Sequence, residues 1–261
     1  MEMNEIELKN NDIYFMEVLD NIIVINDNYE GILFFNNKFE QIGSMKIMDD
    51  LSIYSSFKNG HQIILYCPDN GYLIHINIDL YEYKIIPLLE FNHFMFSEIY
   101  DWNKDGLILS DYQGLFVKVN INENIINEID LKNTRIKSVK EIYDKLSDFK
   151  ICKVNVQEKK AIVQISNSIY ALVEYKNFIK ILEEFEKEDY HDFEISKEFW
   201  AKIGEKKVEV LFKNQKIELY PTNNYIFLRG RFMIMNEVVY LFLLCGNKAE
   251  TDNVILKCYQ F

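Results

Sequence analysis

A chain of 261 residues with 49% hydrophobic and 27% charged side chains has the make-up of a folded globular protein and not of a disordered one. Its formal net charge of −12 opposes phosphate backbones and anionic lipid surfaces, so neither nucleic acid nor a membrane is expected as a partner. The longest apolar run, VVYLFLLC at 238–245, is too short for a bilayer span, and the acidic start MEMNEIELKNND lacks leader character, so the cytoplasm is the expected location.

In chain order, the first unit covers 13–47. IYFMEVLD leads into NIIVINDNYEGILFF, two apolar runs joined by a polar turn ending in Gly31, and FEQIGSMKI follows. The second unit, 51–88, repeats the plan with LSIYSSF, then QIILYCPDNGYLIHI around Gly71, then EYKIIPL. The third, 93–131, has HFMFSEIYDW, then GLILSDYQGLFVKV around Gly114, then IINEIDL. Glycine in these turns is expected to supply the positive φ of a tight hairpin. The stretch 132–148 breaks the pattern. Ser138 and Glu141 fit a capping box there, which predicts a short helix over 138–148. A fourth unit, 149–185, carries FKICKVNVQ, AIVQISNSIYALVEY with Ser168 at the glycine place, and FIKILEEF. Residues 186–223 interrupt again. Ser196 as cap and Gly204 as stop predict a second helix over 196–203, and KKVEVLFKNQKIELYP reads as a hairpin about KNQK. The fifth unit, 224–260, has YIFLRG, FMIMNEVVYLFLL and NVILKCYQF.

Short strands rich in Ile, Phe, Tyr and Val, in groups of four with a period of about 40 residues, resemble a β-propeller. One four-stranded sheet cannot bury both faces, whereas several packed radially cover one another. The resemblance implies an all-β fold: a single domain over 1–261 with about five four-stranded blades. In this reading 186–223 is an acidic insert in the last connection, and a degenerate sixth blade is the alternative. The tryptophan–aspartate signature of the commonest propeller repeat is absent.

DWNKDG at 101–106 places Asp101, Asn103 and Asp105 as oxygen donors at alternate positions, as at the start of an EF-hand loop. Tyr112 stands where that loop needs a bidentate Glu, and Leu109 where integrin-type propeller loops carry another aspartate. The stretch therefore reads as a strand-to-strand corner built of turn-forming residues, and no metal or other cofactor is expected. Cys67, Cys152, Cys245 and Cys258 form no CxxC pair and read as free thiols. His61, His75, His93 and His191 are scattered, with His75 facing away from Ile74 and Ile76. No GxSxG, Walker or GxGxxG motif is present, so no catalytic residue is assigned.

The densest charge run is EEFEKEDYHDFEISKE at 183–198. Glu183, Glu184, Glu186, Glu188, Asp189, Asp192 and Glu194, with Phe185, Tyr190 and Phe193 as apolar anchors, form the expected docking surface for a basic protein partner. The same rings equally suit pinning the insert to the body. A compact, acidic, Asn/Ile/Lys-rich chain without a catalytic signature also resembles bacterial immunity proteins, which implies binding of a basic toxin domain. The rival reading is a carbohydrate-active propeller, lectin or glycoside hydrolase, with acids such as Glu17, Asp20 and Asp101 near strand ends.

Overall fold

The computed structural model describes residues 3–103, 106–111, 115–130, 134–186, 189–197, 199–213, 215–250 and 252–261. Among the described residues, twenty-four strands form six antiparallel four-stranded sheets. Blade 1 is Met16–Leu19 (β2), Ile22–Asp27 (β3), Gly31–Asn36 (β4) and Gln41–Lys46 (β5). Blade 2 is Ser55–Asn59 (β6), Gln62–Cys67 (β7), Tyr72–Asn77 (β8) and Glu82–Pro87 (β9). Blade 3 is Phe96–Asn103 (β10), Gly106–Asp111 (β11), Phe116–Asn120 (β12) and Ile125–Glu128 (β13). Blade 4 is Lys150–Asn155 (β14), Lys160–Gln164 (β15), Ile169–Glu174 (β16) and Lys180–Glu186 (β17). Blade 5 is Asp192–Ile195 (β18), Phe199–Ile203 (β19), Val208–Phe212 (β20) and Gln215–Leu219 (β21). Blade 6 joins Tyr225–Met235 (β22), Val238–Asn247 (β23) and Asn253–Gln260 (β24) to the N-terminal strand Met3–Lys9 (β1).

The first strand of each blade is innermost. Strands β2, β6, β10, β14, β18 and β22 contact one another in turn and close a ring. The middle strands are buried on both faces, as Ile63, Ile64 and Leu65 of β7 show with no exposed surface. Apolar clusters fill the wedges between blades. Ile32 and Phe34 of blade 1 pack with Ile63, Leu65 and Ile74 of blade 2, and Ile23 and Ile25 pack with Phe242 and Leu244 of blade 6. Each sheet thus receives from its neighbours the cover it cannot give itself.

The stretch 186–223 holds a blade, as the alternative reading of that stretch expects, so the count is six and not the favoured five. Its period was hidden because Phe199, Trp200, Ala201, Lys202 and Ile203 are all buried. A strand covered on both faces shows no alternation. The helix expected over 196–203 is accordingly strand β19, while the hairpin about KNQK is β20 and β21. The other expected helix exists as α1, Lys137–Leu146, and buries Val139, Ile142 and Leu146 against blade 4. It has no capping box. Ile136 occupies the N-cap, and Glu141 pairs instead with Lys145 at 3.1 Å and with Lys159. The fifth sequence unit was also offset by one strand. YIFLRG and FMIM are one continuous strand, β22, and the blade's fourth strand arrives from the N-terminus as β1, which pairs β24 from Met3↔Tyr259 to Lys9↔Asn253.

The turn glycines serve two different needs. Gly71 has φ +75, as expected of a hairpin. Gly31 does not need a positive φ. A Cβ there would lie 2.0 Å from the Met45 carbonyl oxygen, and Asn28 takes the left-handed place in that turn with φ 46. Gly114 lies outside the described residues. Gly31→Ala is therefore expected to cost about 1–3 kcal/mol through forced separation of β4 and β5. Gly60→Asn should stay within about 0.5 kcal/mol, because Asn tolerates the left-handed region. Gly60 has φ +56 and open space around it. Urea denaturation of the two variants checks the contrast.

Candidate functional site

The ring of innermost strands encloses a channel, and its centre is occupied by charge. Glu17 on β2 is almost fully buried and accepts hydrogen bonds from Lys58 Nζ at 2.7 Å, Ser56 Oγ at 3.0 Å and Arg231 Nε at 3.0 Å. Arg231 Nη1 reaches Asp192 on β18 at 2.6 Å. Lys58 of blade 2 lies 3.9 Å from Glu194 of blade 5, across the ring. Two cations and three carboxylates from four blades thus form one network, in which Glu17, Asp192 and Arg231 are buried and Lys58 is exposed. Burial by itself would raise the Glu17 carboxyl, but Lys58 and Arg231 hold it well below the usual carboxylate range. Asp192 is likewise opposed by burial and lowered by Arg231, Arg229 and Lys153.

A cavity of about 490 Å³ opens where the innermost strands begin. Phe15, Tyr54, Tyr66, Phe96, Tyr170 and Phe193 contribute its rings. Its polar wall comes from Lys150, Lys153, His191, Asp192, Arg229 and Arg231. The β-bulge in β22 between Phe227 and Arg229 sets the register there, and Arg229 and Arg231 then follow at alternate positions on the cavity side. His191 Nε2 lies 2.9 Å from the Leu228 carbonyl oxygen.

The opposite face, formed by the turns between first and second and between third and fourth strands, carries a groove of about 730 Å³ between blades 2 and 3. His75, Tyr81, Tyr83 and Trp102 supply rings, and Asn59, Gln62, Asn77 and Asn122 supply carboxamides. His75 is half-buried beside Ile74 and Ile76, which are fully covered. It lies 2.9 Å from Gln62 Oε1, and burial and then Lys84 lower its pKa. Next to this groove, the turn and outer strand of blade 2 expose Leu80 (63%), Tyr81 (53%), Tyr83 (39%) and Ile85 (37%). The strand β9 is a sheet edge, so its outer backbone row has no ladder partner in the blade. Asp79 stands just before the strip, and Glu82 and Lys84 lie within it.

The residues expected as one docking surface are dispersed. Phe185, Tyr190 and Phe193 are buried with Trp200 in the wedge between blades 4 and 5, where they pin the chain to the body. Around them Lys202 Nζ sits 5.0–5.2 Å from the Phe185, Tyr190 and Trp200 ring centres and 2.6 Å from Glu183. Asp192 and Glu194 belong to the channel network, and Glu184, Glu186 and Asp189 are exposed on the rim. Glu188 lies outside the described residues. Of the acids near strand ends, Glu17 reaches the channel, and Asp20 is 3.5 Å from His61 on the opposite face. The pairing Asn103↔Gly106 makes DWNKDG the corner between β10 and β11. Asp105 and Tyr112, and the side chains of Asp101 and Asn103, lie outside the described residues. Among the described residues no group of three or more His, Cys, Asp or Glu could hold a metal ion. The four cysteines are free thiols, with burial pushing Cys67, Cys245 and Cys258 up to about 12.

Comparison with solved structures places this architecture among known propellers. Virginiamycin B lyase from Staphylococcus aureus superposes with a TM-score of 0.58 at 12% identity, over 99% of this chain and 100% of that one. YCF48, solved bound to D1 peptide, superposes with a TM-score of 0.52 at 10% identity, over 98% of this chain and 94% of that one. The chain has a β-propeller fold. At these identities the likeness establishes architecture alone. No protein-family model and no curated protein matches the sequence.

Sequence reasoning missed Arg229, Arg231 and Lys58 as channel residues. The signal was present as RGR in an otherwise apolar run: two arginines at alternate positions of a strand share one face. That face could be assigned to the channel only once β22 was known to be an innermost strand.

Proposed function

We propose that this protein is a non-catalytic, protein-binding propeller. The observation that carries the reading is the exposed strip Leu80–Ile85 on the free edge of blade 2. An extended partner segment can pair with such an edge while the tyrosines and isoleucine contact its side chains. The net charge of −12 favours a basic partner and speeds its encounter. YCF48, a propeller of similar architecture, was solved with a peptide, which accords with peptide recognition by this fold. In its narrowest form the reading makes the partner a basic toxin domain, supported by the compact, acidic, motif-free chain. Glu17 and Asp192 are both held ionised, so neither suits the protonated carboxyl that a glycosidase pair needs.

Capture of partners from the source cell on immobilised protein tests the proposal. Tyr83→Lys with Ile85→Lys is expected to weaken a captured partner at least about tenfold while leaving the thermal midpoint within a few degrees. Retention should fall as salt rises, because a charged encounter is screened. Capture that is unchanged in the double variant would count against the strip.

The groove between blades 2 and 3 favours a second reading, carbohydrate binding. Trp102, Tyr81 and Tyr83 offer flat faces, and four carboxamides offer paired donors and acceptors. A glycan array with the Trp102→Ala variant as control decides between the two.

A further inference from the structure

We infer that the channel mouth is a binding site for a small organic anion, one carrying a carboxylate or phosphate on an apolar body. In a chain of net charge −12, this cavity concentrates cations. Arg229 and Arg231 line it with the imidazole of His191 and with Lys150 and Lys153, which have interactions of their own. Arg231 is already matched by Asp192 and Glu17. Arg229 is not: it lines the cavity half-buried and, among the described residues, forms no ion pair. A guanidinium with its forked donors turned to a partly desolvated cavity suits a carboxylate or phosphate, which it can hold through two parallel hydrogen bonds.

Two further observations agree. Ser55 lines the same cavity, and its hydroxyl is buried without a hydrogen-bond partner among the described residues. Buried hydroxyls are normally satisfied, so this one marks unfilled hydrogen-bonding capacity in the cavity wall. Arg229 and Lys153 also act on Asp192: with Arg231 they hold its buried carboxyl below the usual carboxylate range against the opposing effect of burial. The rings of Tyr54, Tyr66, Phe96 and Tyr170 provide the apolar wall for the body of such a ligand. A volume of about 490 Å³ falls in the range of small-molecule sites. The site lies on the channel axis, away from the blade 2 strip, and does not depend on the protein-binding reading.

Titration calorimetry of the full chain with phenyl phosphate, benzoate and inorganic phosphate, and with phenol as the uncharged control, tests the inference. One saturating site is expected for phenyl phosphate or benzoate, with phenol inert. The stronger of the two identifies the head group, and weaker inorganic phosphate binding reports the share of the apolar wall. Arg229→Gln should weaken the site at least about tenfold, the loss of one charge-assisted pair, and Arg229→Lys should restore part of it. Lys153→Gln replaces Arg229→Gln as the readout if the latter loses the wild-type circular dichroism. Absence of saturable heat with all three anions, or equal affinity in wild type and the neutralised variant, overturns the assignment.

Discussion

Arg231→Met is expected to destabilise the protein by about 3–5 kcal/mol, because it removes one member of a buried ion network and leaves its partners in place. Arg231 is 8% exposed and holds Asp192 at 2.6 Å and Glu17 at 3.0 Å. Glu17 keeps Lys58, whereas Asp192 loses its ion-pair partner and keeps the hydrogen bond from Gly230 N–H at 3.3 Å. In a domain whose whole stability is about 5–15 kcal/mol, such a loss lowers the thermal midpoint on the order of 10 °C. The double variant Arg231→Met with Asp192→Asn should recover at least half of it, since a neutral amide tolerates the loss of the guanidinium far better than a carboxylate does. Thermal and urea denaturation of the two single variants and the double close the cycle. A loss no smaller in the double variant would mean that the arginine acts through packing and not through charge.

The pH dependence follows from the same carboxylates. Glu17 and Asp192 have folded pKa values below their unfolded ones, near 4. The stability they contribute is present above the unfolded value and is lost as pH falls through the folded one, so the wild type should begin to weaken below about pH 4. Without Arg231 the burial of Asp192 is less opposed and its pKa rises toward or past the unfolded value. The stability gap between wild type and Arg231→Met should therefore narrow between pH 7 and pH 4.

Deletion of residues 1–9 should have the second large effect. Strand β1 is the seam of the ring: it supplies the outer strand of blade 6 while the other three strands come from the opposite end of the chain. Ile6 and Leu8 pack against the wedge that joins blades 6 and 1, and seven residue pairs tie β1 to β24. Removing them exposes that wedge and turns β24 into a free apolar edge. Two half-buried aliphatic side chains and their ladder amount to roughly 3–4 kcal/mol, or roughly 10 °C in the thermal midpoint. Concentration-dependent aggregation should accompany the loss. A synthetic peptide spanning residues 1–11, added in trans, should raise the midpoint of the truncated protein by strand addition, and a scrambled peptide should not. A truncated protein as stable as the full chain would remove β1 from the account of closure.

Much of this architecture was legible in the residues. The turns around Gly31 and Gly71 and the apolar pairs flanking them marked blades 1 and 2, because strand periodicity and turn chemistry are local properties of a few neighbouring residues. Blade 5 was obscured by its own burial: Phe199 to Ile203 lie between two neighbouring blades, and a doubly covered strand carries no alternation to read. Blade 6 was misphased because its fourth strand sits at residues 3–9, and no local pattern announces that pairing.

The sequence by itself determined a repeated four-stranded unit, a net negative charge and the lack of the common catalytic motifs, since composition and short-range spacing suffice for those. Tertiary structure alone decided which charges meet. Glu17, Lys58, Asp192, Glu194 and Arg231 come from four different blades and converge because ring closure brings the innermost strands around one axis. It also turned Phe185, Tyr190 and Phe193 from expected anchors for a partner into the packing of a wedge. The physical reason is the same in both cases. A side chain's neighbours along the chain set its strand, but burial and charge pairing depend on residues tens or hundreds of positions away.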